Sequence, residues 1–255
     1  MSDLICCTPK SLPKNLWVSA AKKAVVINPA NHPPTEHIAR ALGGMAPTAA
    51  RIAVMISKRW HTNGINLTVG FMDNPPADLR ARIILHMNAW GKTANVQFKE
   101  TKTNPQVRID RLAGDGYWSY LGTDILSIPA NRATMNLDSF TMSTPESEFH
   151  RVVRHETGHT LGFPHEHMRR SLVKKIDPDK AIAYFGATQG WSADEVRQQV
   201  LTPLEESSIL GSATDARSIM CYQIPGTITK NGKPIIGGVD IDKRDYTFAA
   251  SIYPK

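Results

Sequence analysis

Residues 155–167 read H-E-T-G-H-T-L-G-F-P-H-E-H, which places four histidines and two glutamates within thirteen residues. On a helix, His155 and His159 project from one face, so two imidazole nitrogens can meet one cation. Gly162 can leave the right-handed helix without a Cβ penalty, which lets the chain turn and bring His165 to the same point. Three neutral imidazoles with one open coordination position are typical of a catalytic zinc. The stretch therefore predicts a single catalytic Zn²⁺ ion.

Glu156 lies next to the first of these histidines, where its carboxylate can orient a water molecule on the cation and act as the general base. A bare H-E-x-x-H motif also arises by chance, as a helix with histidines on a solvated face. The longer pattern H-E-x-x-H-x-x-G-x-x-H, followed by Met220 in a later turn, makes such an accident improbable. This pair of features resembles the signature of the metzincin peptidases.

Two further features narrow the resemblance. Glu166 directly follows the third histidine, and the later turn reads S218-I-M-C-Y, ending in Tyr222. With these residues the chain resembles the astacin-like zinc metallopeptidases over residues 58–255. The resemblance implies an α+β, metzincin-like catalytic domain, in which a twisted mixed sheet backed by helices forms an N-terminal lobe. An irregular helical C-terminal lobe would follow, with the split near residues 162–165.

The resemblance also assigns roles. Met220 would lie beneath the metal as an apolar floor, and Tyr222 would bind zinc at rest and swing away to stabilise the transition state. In mature relatives the residue that matches Glu166 receives the processed N-terminus. An exposed edge strand near the metal can bind an extended peptide through main-chain hydrogen bonds, although an ordinary core strand fits the pattern equally well. The residues that resemble this edge strand, and are candidate substrate-binding residues, are Trp118, Ser119, Tyr120 and Leu121.

The element pattern agrees with an α+β fold. Alternating apolar and polar residues predict strands at 65–72, 96–100, 106–112 and 133–138. A helix is expected from Pro75 and Pro76 to about Lys92. The sequence Thr144-Pro145-Glu146, with the Thr144 hydroxyl as cap, is expected to start the helix that carries the first two histidines. Further helices are predicted at 177–185, 192–201 and about 240–253.

Composition excludes several other classes. The chain has 255 residues, of which 41% are hydrophobic and 21% charged, which suits one domain or two closely packed lobes. No apolar run of about eighteen residues could span a bilayer. The formal net charge is +7, but the basic residues are scattered and lack an aromatic-rich stripe. Nucleic acid is therefore disfavoured as a partner, and we expect a monomer that acts on proteins or peptides.

Residues 1–57 are expected to be a leader or prosegment that packs on the catalytic domain. No secretory signal peptide is visible, whereas the family resemblance favours a secreted or exported protein. The three cysteines, Cys6, Cys7 and Cys221, do not predict a disulfide framework, and Cys221 stands where the family usually has another histidine. Because thiolate is a strong zinc ligand, Cys6 or Cys7 could block the open position as a latency switch. The alternative is that both cysteines are incidental.

The resulting prediction is a zinc-dependent endopeptidase that hydrolyses peptide bonds through a metal-activated water. The alternative from another class is a catalytically silent, zinc-containing module that binds peptides along the edge strand. Glu156 and Tyr222 argue against this alternative, because a silent site has no chemical need for either. A basic nucleic-acid binder rests on net charge alone.

Overall fold

The structure is a computed structural model. It describes residues 7, 10–43, 46, 48–49, 53, 55–165, 170–203, 217–221 and 223–255. Three residues named above, Cys6, Glu166 and Tyr222, lie outside these ranges. The predictions made for these three residues therefore remain predictions.

Five strands form one mixed sheet. They are β1 (Ile65–Phe71), β2 (Val96–Glu100), β3 (Val107–Asp110), β4 (Tyr117–Ser119) and β5 (Met135–Leu137). The order across the sheet is β2-β1-β3-β5-β4, and every neighbouring pair is parallel except β4 with β5. Four of the strands fall within the stretches predicted as strands, and β4 lies in the segment expected to resemble an edge strand, at one edge of the sheet.

Helices make up most of the remaining regular structure. The α-helices are α1 (Trp17–Ile27), α2 (Thr35–Leu42), α3 (Ala77–Met87), α4 (Glu146–Glu148), α5 (Arg154–Thr160), α6 (Arg170–Val173), α7 (Pro178–Gln189), α8 (Ala193–Val196) and α9 (Lys243–Ile252). The 3₁₀ turns are Lys14–Leu16, Pro29–Asn31, Asn88–Lys92, Gly122–Ser127 and Gly226–Ile228, and the π turns are Phe149–Val153 and Arg197–Leu201. Within the described ranges, no helix has the length and apolar character needed to cross a membrane.

Helix α3 covers one face of the sheet, as its sequence predicts. Leu79, Ile83 and Met87 are almost completely buried on its inner face and belong to the same core as β1. The α-helix ends at Met87, and the 3₁₀ turn Asn88–Lys92 continues it to the predicted end. The Asn88 side chain donates to the Ile84 carbonyl at 3.0 Å. Asn88 also bonds the main chain of Phe98 in β2, so the helix end is fixed to the sheet.

Helix α4, the π turn Phe149–Val153 and α5 run continuously and are called the active-site helix below. The predicted cap is wrong, because the residue before the helix is Pro145 and no side chain caps the first turn. The Thr144 hydroxyl instead accepts the main-chain hydrogen of Thr141 at 3.0 Å and closes the preceding turn. The π turn has no counterpart in the sequence-based expectation.

The first described helix, α1, packs against the 3₁₀ turn Gly122–Ser127. Its Ala24 is fully buried, and Lys23 donates to the Leu126 carbonyl at 3.1 Å. Asn31 then donates to the carbonyls of both Ala24 and Arg59, at 2.9 and 2.8 Å. These contacts join the expected leader to the rest of the chain, while its boundary at residue 57 stays a prediction.

A second, smaller core follows the active-site helix. It includes Phe185 of α7, Val196 of α8, and Cys221 and Ile224 from the later turn. Helix α7 falls where a helix was predicted at 177–185 but extends to Gln189; the Asp177 side chain caps its start, and Gly190, left-handed with φ 68°, follows its end. The separate core agrees with the expected second lobe.

Candidate active site

Three histidine side chains meet at one point beside the active-site helix. The Nε2 atoms of His155 and His159 are 3.1 Å apart, and those of His155 and His165 are 3.2 Å apart. The Nε2 atoms of His159 and His165 are 3.0 Å apart. All three side chains are buried. The structure therefore brings together the three ligands predicted from the spacing.

The outer ring nitrogens of two histidines contact main-chain carbonyls. His155 Nδ1 is 2.5 Å from the Ile219 oxygen, and His159 Nδ1 is 2.8 Å from the Phe163 oxygen. A carbonyl can only accept, so each Nδ1 carries the proton and each Nε2 presents a lone pair. Burial also lowers the pKa of His155 to about 4, which favours the neutral ring.

Two lone pairs 3.1 Å apart repel each other unless a cation lies between them. In a tetrahedral zinc site with Zn–N bonds of about 2.0–2.1 Å, the nitrogens are about 3.3 Å apart. The observed separations of 3.0–3.2 Å are close to this value. The donor set is neutral imidazole, which suits zinc. The three histidines therefore fit a zinc ion.

Glu156 lies on the next position of the helix and is 1% exposed. Its Oε2 atom has no hydrogen-bond partner among the described groups. Burial raises the pKa of this carboxyl to about 8, while the Cys7 side chain, which bonds to it, and the charge of Arg151 lower it. A bound cation would favour the ionised form further. The carboxylate oxygen is thus buried beside the histidine cluster and available to a water molecule.

Met220 packs directly against the active-site helix and is 4% exposed. A Cβ atom added to Gly158 would lie 2.3 Å from the Met220 sulfur and 3.2 Å from the Trp90 ring. This close approach explains why a glycine occupies the middle of the helix, although glycine costs about 1 kcal/mol there relative to alanine.

Comparison with known proteins identifies the family of the chain. A family model described as Astacin, a peptidase family, matches residues 53–240. The chain belongs to the astacin family. This confirms the resemblance inferred from the two motifs, and with it the class of zinc metalloendopeptidases.

Individual relatives agree with this assignment. Zinc metalloproteinase nas-27 of Caenorhabditis elegans is 25% identical over 196 residues, which make up 76% of this chain and 40% of that protein. The chain thus spans less than half the length of this curated relative. The structure of myroilysin has a TM-score of 0.72 at 33% identity and covers 78% of this chain and 96% of its own.

A more distant structure shows the fold alone. It is high choriolytic enzyme 1, a hatching enzyme zinc-protease from Oryzias latipes, with a TM-score of 0.52 at 19% identity. The similarity covers 77% of this chain and 93% of that one. Together with the mixed sheet, these neighbours confirm the α+β, metzincin-like fold class.

The end of the active-site helix in this astacin is held by two aromatic side chains. Trp60 donates from its indole to the Thr160 carbonyl at 2.9 Å, and Tyr253 donates to the Leu161 carbonyl at 2.5 Å. The chain then turns at Gly162, whose φ of 89° is left-handed, as predicted. A side chain there would also meet the Lys58 carbonyl at 2.8 Å. This turn places His165 opposite the other two ligands.

Asp245 of α9 ties the Met220 turn to the C-terminal helix. Its carboxylate accepts from the Ser218 hydroxyl at 2.6 Å and from the Ile219 main chain at 2.9 Å. Because the Ile219 carbonyl accepts the Nδ1 proton of His155, Asp245 is linked to this candidate zinc ligand through a single residue, Ile219. The sequence around Asp245 gives no sign of this role, because its only local signal is a capping-box position after Asp242.

The predicted substrate-binding residues lie at the edge of the sheet beside this helix. Trp118 and Ser119 belong to β4 and are buried, whereas Tyr120 and Leu121 follow it and are half-buried. The Ser119 hydroxyl is 3.0 Å from the Thr160 hydroxyl, which fixes β4 to the active-site helix. Strand β4 is therefore an edge strand next to the metal ligands.

A pocket opens beside Glu156, between the active-site helix and the Met220 turn. Its walls include Arg151, Cys221 and Gln223. The Arg151 guanidinium bonds the Glu148 carboxylate through two contacts of 3.0 and 2.6 Å. The pocket wall therefore holds one basic side chain, Arg151, which is ion-paired with Glu148, and one acidic side chain, Glu156.

A second cluster, formed by His86, Glu146 and His150, also brings ligand atoms together. Its hydrogen bonds argue against a metal there. Arg154 donates from Nε to His86 Nδ1 at 3.3 Å, so the other ring nitrogen of His86 carries the proton. That nitrogen lies 3.1 Å from Glu146 Oε1 and donates to it. The cluster is a hydrogen-bond network that joins α3 to the active-site helix.

The Gly158 contact leads to the first testable prediction. Replacing Gly158 with alanine should lower the free energy of unfolding by about 1–3 kcal/mol, because the new methyl group overlaps the Met220 sulfur. Thermal or urea unfolding measures the change. The matched control is Gly186→Ala in α7, where a Cβ atom would meet its nearest neighbour at 3.5 Å. The free energy of unfolding of that control should rise by about 0.5–1 kcal/mol. An equal rise at both positions would contradict the overlap of the new methyl group with Met220.

Proposed function

We propose that the chain is an endopeptidase in which His155, His159 and His165 hold one Zn²⁺ ion and Glu156 is the general base. One observation carries the proposal. The Nε2 lone pairs of the ligands converge within 3.0–3.2 Å, beside a carboxylate whose Oε2 atom has no partner among the described groups. A purely structural site needs no such carboxylate, and burying one without use costs stability.

In the proposed reaction Glu156, Tyr222 and Met220 would each have a separate role beside the metal. When bound, zinc would supply a Lewis acid that polarises the scissile carbonyl and lowers the pKa of a water molecule toward about 7. Glu156 would take a proton from the attacking water and return it to the leaving amine. The Tyr222 hydroxyl would donate a hydrogen bond to the developing oxyanion, the role that the family resemblance gives it. Met220 would keep the underside of the ligands apolar and rigid.

Substrate binding is proposed at β4. An extended peptide can add to an edge strand through main-chain hydrogen bonds, and β4 is the edge strand that packs against the active-site helix. The candidate contacts remain Trp118, Ser119, Tyr120 and Leu121. The hydroxyl contact between Ser119 and Thr160 supports this assignment, because it sets the strand at a fixed distance from the catalytic helix.

The domain boundary and the site of action belong to the same proposal. We propose residues 1–57 as the leader and 58–255 as the catalytic domain, with the lobes divided near 162–165. The family match that begins at residue 53 supports this boundary. Secretion or export, a protein or peptide substrate, and a monomeric state are proposed from the family resemblance.

Metal removal gives a second prediction. Chelation should abolish peptide hydrolysis and lower the thermal midpoint, and added zinc should restore both. At a free zinc concentration about 1,000 times the Kd, binding stabilises the folded state by about 4 kcal/mol. For a chain of this size the midpoint should therefore rise by about 8–16 °C.

A matched pair of variants shows which histidine the zinc-dependent rise of the thermal midpoint requires. His159→Ala should lose the zinc-dependent shift, because it removes a converging ligand. His150→Ala, on the same helix, should keep it, since His150 faces Asp240 at 3.0 Å instead. Scanning calorimetry with and without chelator measures both. A zinc-dependent shift that survives in His159→Ala would overturn the ligand assignment.

A further inference from the structure

Four exposed lysines from two distant segments meet at the surface of the second core. The two segments are joined by an antiparallel β-bridge between Ile176 and Thr229, both of which are buried. At the next pair of residues, the main-chain N–H of Lys230 donates to the Lys175 carbonyl at 2.8 Å. Basic residues are scattered in the sequence, but the fold gathers these four into one group, called the lysine patch: Lys174, Lys175, Lys230 and Lys233.

The lysine patch places like charges close together. In the register of the bridge Lys175 lies directly opposite Lys230, and like charges at such positions destabilise a pair of strands. Lys233 is held in the same turn, because its carbonyl accepts the Thr229 hydroxyl at 2.9 Å. Among the described residues, no carboxylate lies within ion-pair distance of these four ammonium groups. The nearest acid in the sequence, Asp177, caps α7 and forms its ion pair within that helix. An anionic partner would remove the repulsion.

A single hairpin, residues 223–238, connects the lysine patch to the candidate active site. Ile224 and Ile235 pair in it through two main-chain hydrogen bonds of 2.9 Å. At one end of the hairpin, Gln223 and Gly238 line the pocket described above. Its other end turns through the lysine patch, about seven residues along the chain and therefore at most about 25 Å away. An extended peptide of about eight to ten residues can span this distance.

We propose that the lysine patch binds an acidic segment of the protein substrate, several residues away from the bond that is cleaved. This inference rests on the proposed function, because it gives the same substrate a second contact. Carboxylates complement the four ammonium groups, and exposed charge pairs of this kind speed the encounter and are screened by salt. A protein chain is favoured over other anions because the lysine patch and the pocket lie at the two ends of one short hairpin, within reach of one extended peptide.

The test uses two quenched fluorescent peptides that share one cleavable core and differ in their tails. One tail consists of glutamates and the other of glutamines, and each is attached to either end of the core through a polar spacer. At low ionic strength the zinc-loaded chain should hydrolyse the glutamate peptide with a kcat/KM about tenfold higher, mainly through a lower KM. The difference should disappear at about 1 M salt, where the Debye length is about 3 Å.

Replacing the lysine patch should remove this preference. Glutamine at all four positions should lower kcat/KM for the glutamate peptide by about tenfold and leave hydrolysis of the glutamine peptide unchanged. Glutamate at all four positions should reverse the choice, toward a tail of lysines. A matched control lowers the net charge equally at exposed lysines elsewhere and should keep the preference: Lys22→Gln, Lys99→Gln, Lys102→Gln and Lys243→Gln.

Peptide binding tests the lysine patch without activity. Fluorescence anisotropy with zinc-loaded Glu156→Gln protein follows the uncleaved peptides. The glutamate peptide should bind about tenfold more tightly than the glutamine peptide, and only while the lysine patch is present. A sulfated polysaccharide, and vesicles of phosphatidylserine and phosphatidylcholine in equal parts, are measured beside the peptides as other anionic partners.

The outcomes separate this inference from the proposed function. Hydrolysis without a tail preference, or a preference lost equally in the control variant, overturns the lysine patch as a substrate contact and leaves the peptidase intact. Lysine-dependent binding of the glutamate tail, with no hydrolysis by the unmutated zinc-loaded chain, overturns the proposed function and leaves a surface that binds acidic segments. Lysine-dependent binding of the polysaccharide or the vesicles, with equal cleavage of both peptides, overturns the assignment to a protein substrate.

Discussion

Replacing Glu156 with glutamine is expected to lower kcat/KM for peptide hydrolysis by about 10²–10⁴-fold while leaving zinc content unchanged. The reason is chemical, because an amide of the same shape cannot take a proton from water, and general-base catalysis is worth about this much. Glu156 does not belong to the converging set of nitrogen ligands, so its replacement leaves the metal-binding atoms in place. The Oε2 atom also loses no hydrogen bond within the described groups.

The measurement compares steady-state hydrolysis and zinc content between Glu156→Gln and the unmutated chain. Glu100→Gln in β2 is the matched control. The Glu100 carboxylate forms a surface ion pair with Arg80 at 2.7 Å, remote from the three histidines. That control should leave the rate unchanged. Glu156→Gln protein that keeps its zinc and full activity would remove Glu156 from the mechanism.

Replacing Asp245 with alanine is expected to weaken zinc affinity by about 10–100-fold, although Asp245 touches no metal ligand side chain. The loss of the carboxylate frees the main-chain N–H of Ile219, the residue whose carbonyl orients His155. It also leaves the buried Ile219 amide and Ser218 hydroxyl without their acceptor. An unsatisfied buried group costs about 1–3 kcal/mol, so stability should fall as well.

A change at Asp242, the cap of the same helix, separates the loss of zinc affinity from the loss of stability. Asp242→Ala removes the acceptor for the main-chain hydrogens of Arg244 and Asp245, at 2.7 and 2.9 Å, and costs about 1 kcal/mol. Among the described hydrogen bonds, Asp242 makes none with the Met220 turn. The zinc affinity of the Asp242→Ala variant should therefore be unchanged. Competition with a chromogenic zinc chelator measures both variants. Equal zinc affinities would contradict the positioning role of Asp245.

The convergence of the three histidines was predictable because the information for it is local. His155 and His159 are one helical turn apart, and Gly162 marks the point where the chain reverses toward His165. Four of the five strands were predictable for the same reason, since each alternates over a few residues, whereas β4 was expected only from the family resemblance. These features depend on spacing along the chain, which a sequence shows directly.

The supporting contacts were not predictable because they join distant segments. Gly158 carries no sign that the Met220 sulfur will fill the space beside it, and Asp245 has no sequence link to Ile219. The position of Cys7, whose sulfur is 3.6 Å from His159 Nε2, depends on where the leader meets β4. The prediction of a Thr144 cap was wrong because the Thr144 hydroxyl accepts a hydrogen bond from the main-chain N–H of Thr141 instead.

Digestion of a proteome-derived peptide mixture tests whether the chain is a zinc endopeptidase. The mixture would be incubated with the zinc-loaded chain, with and without chelator, and the new termini sequenced. We expect new internal termini that disappear on chelation, return with zinc, and are absent with Glu156→Gln. No new termini from the zinc-loaded chain, or termini that persist with chelator and without Glu156, would contradict the proposed function.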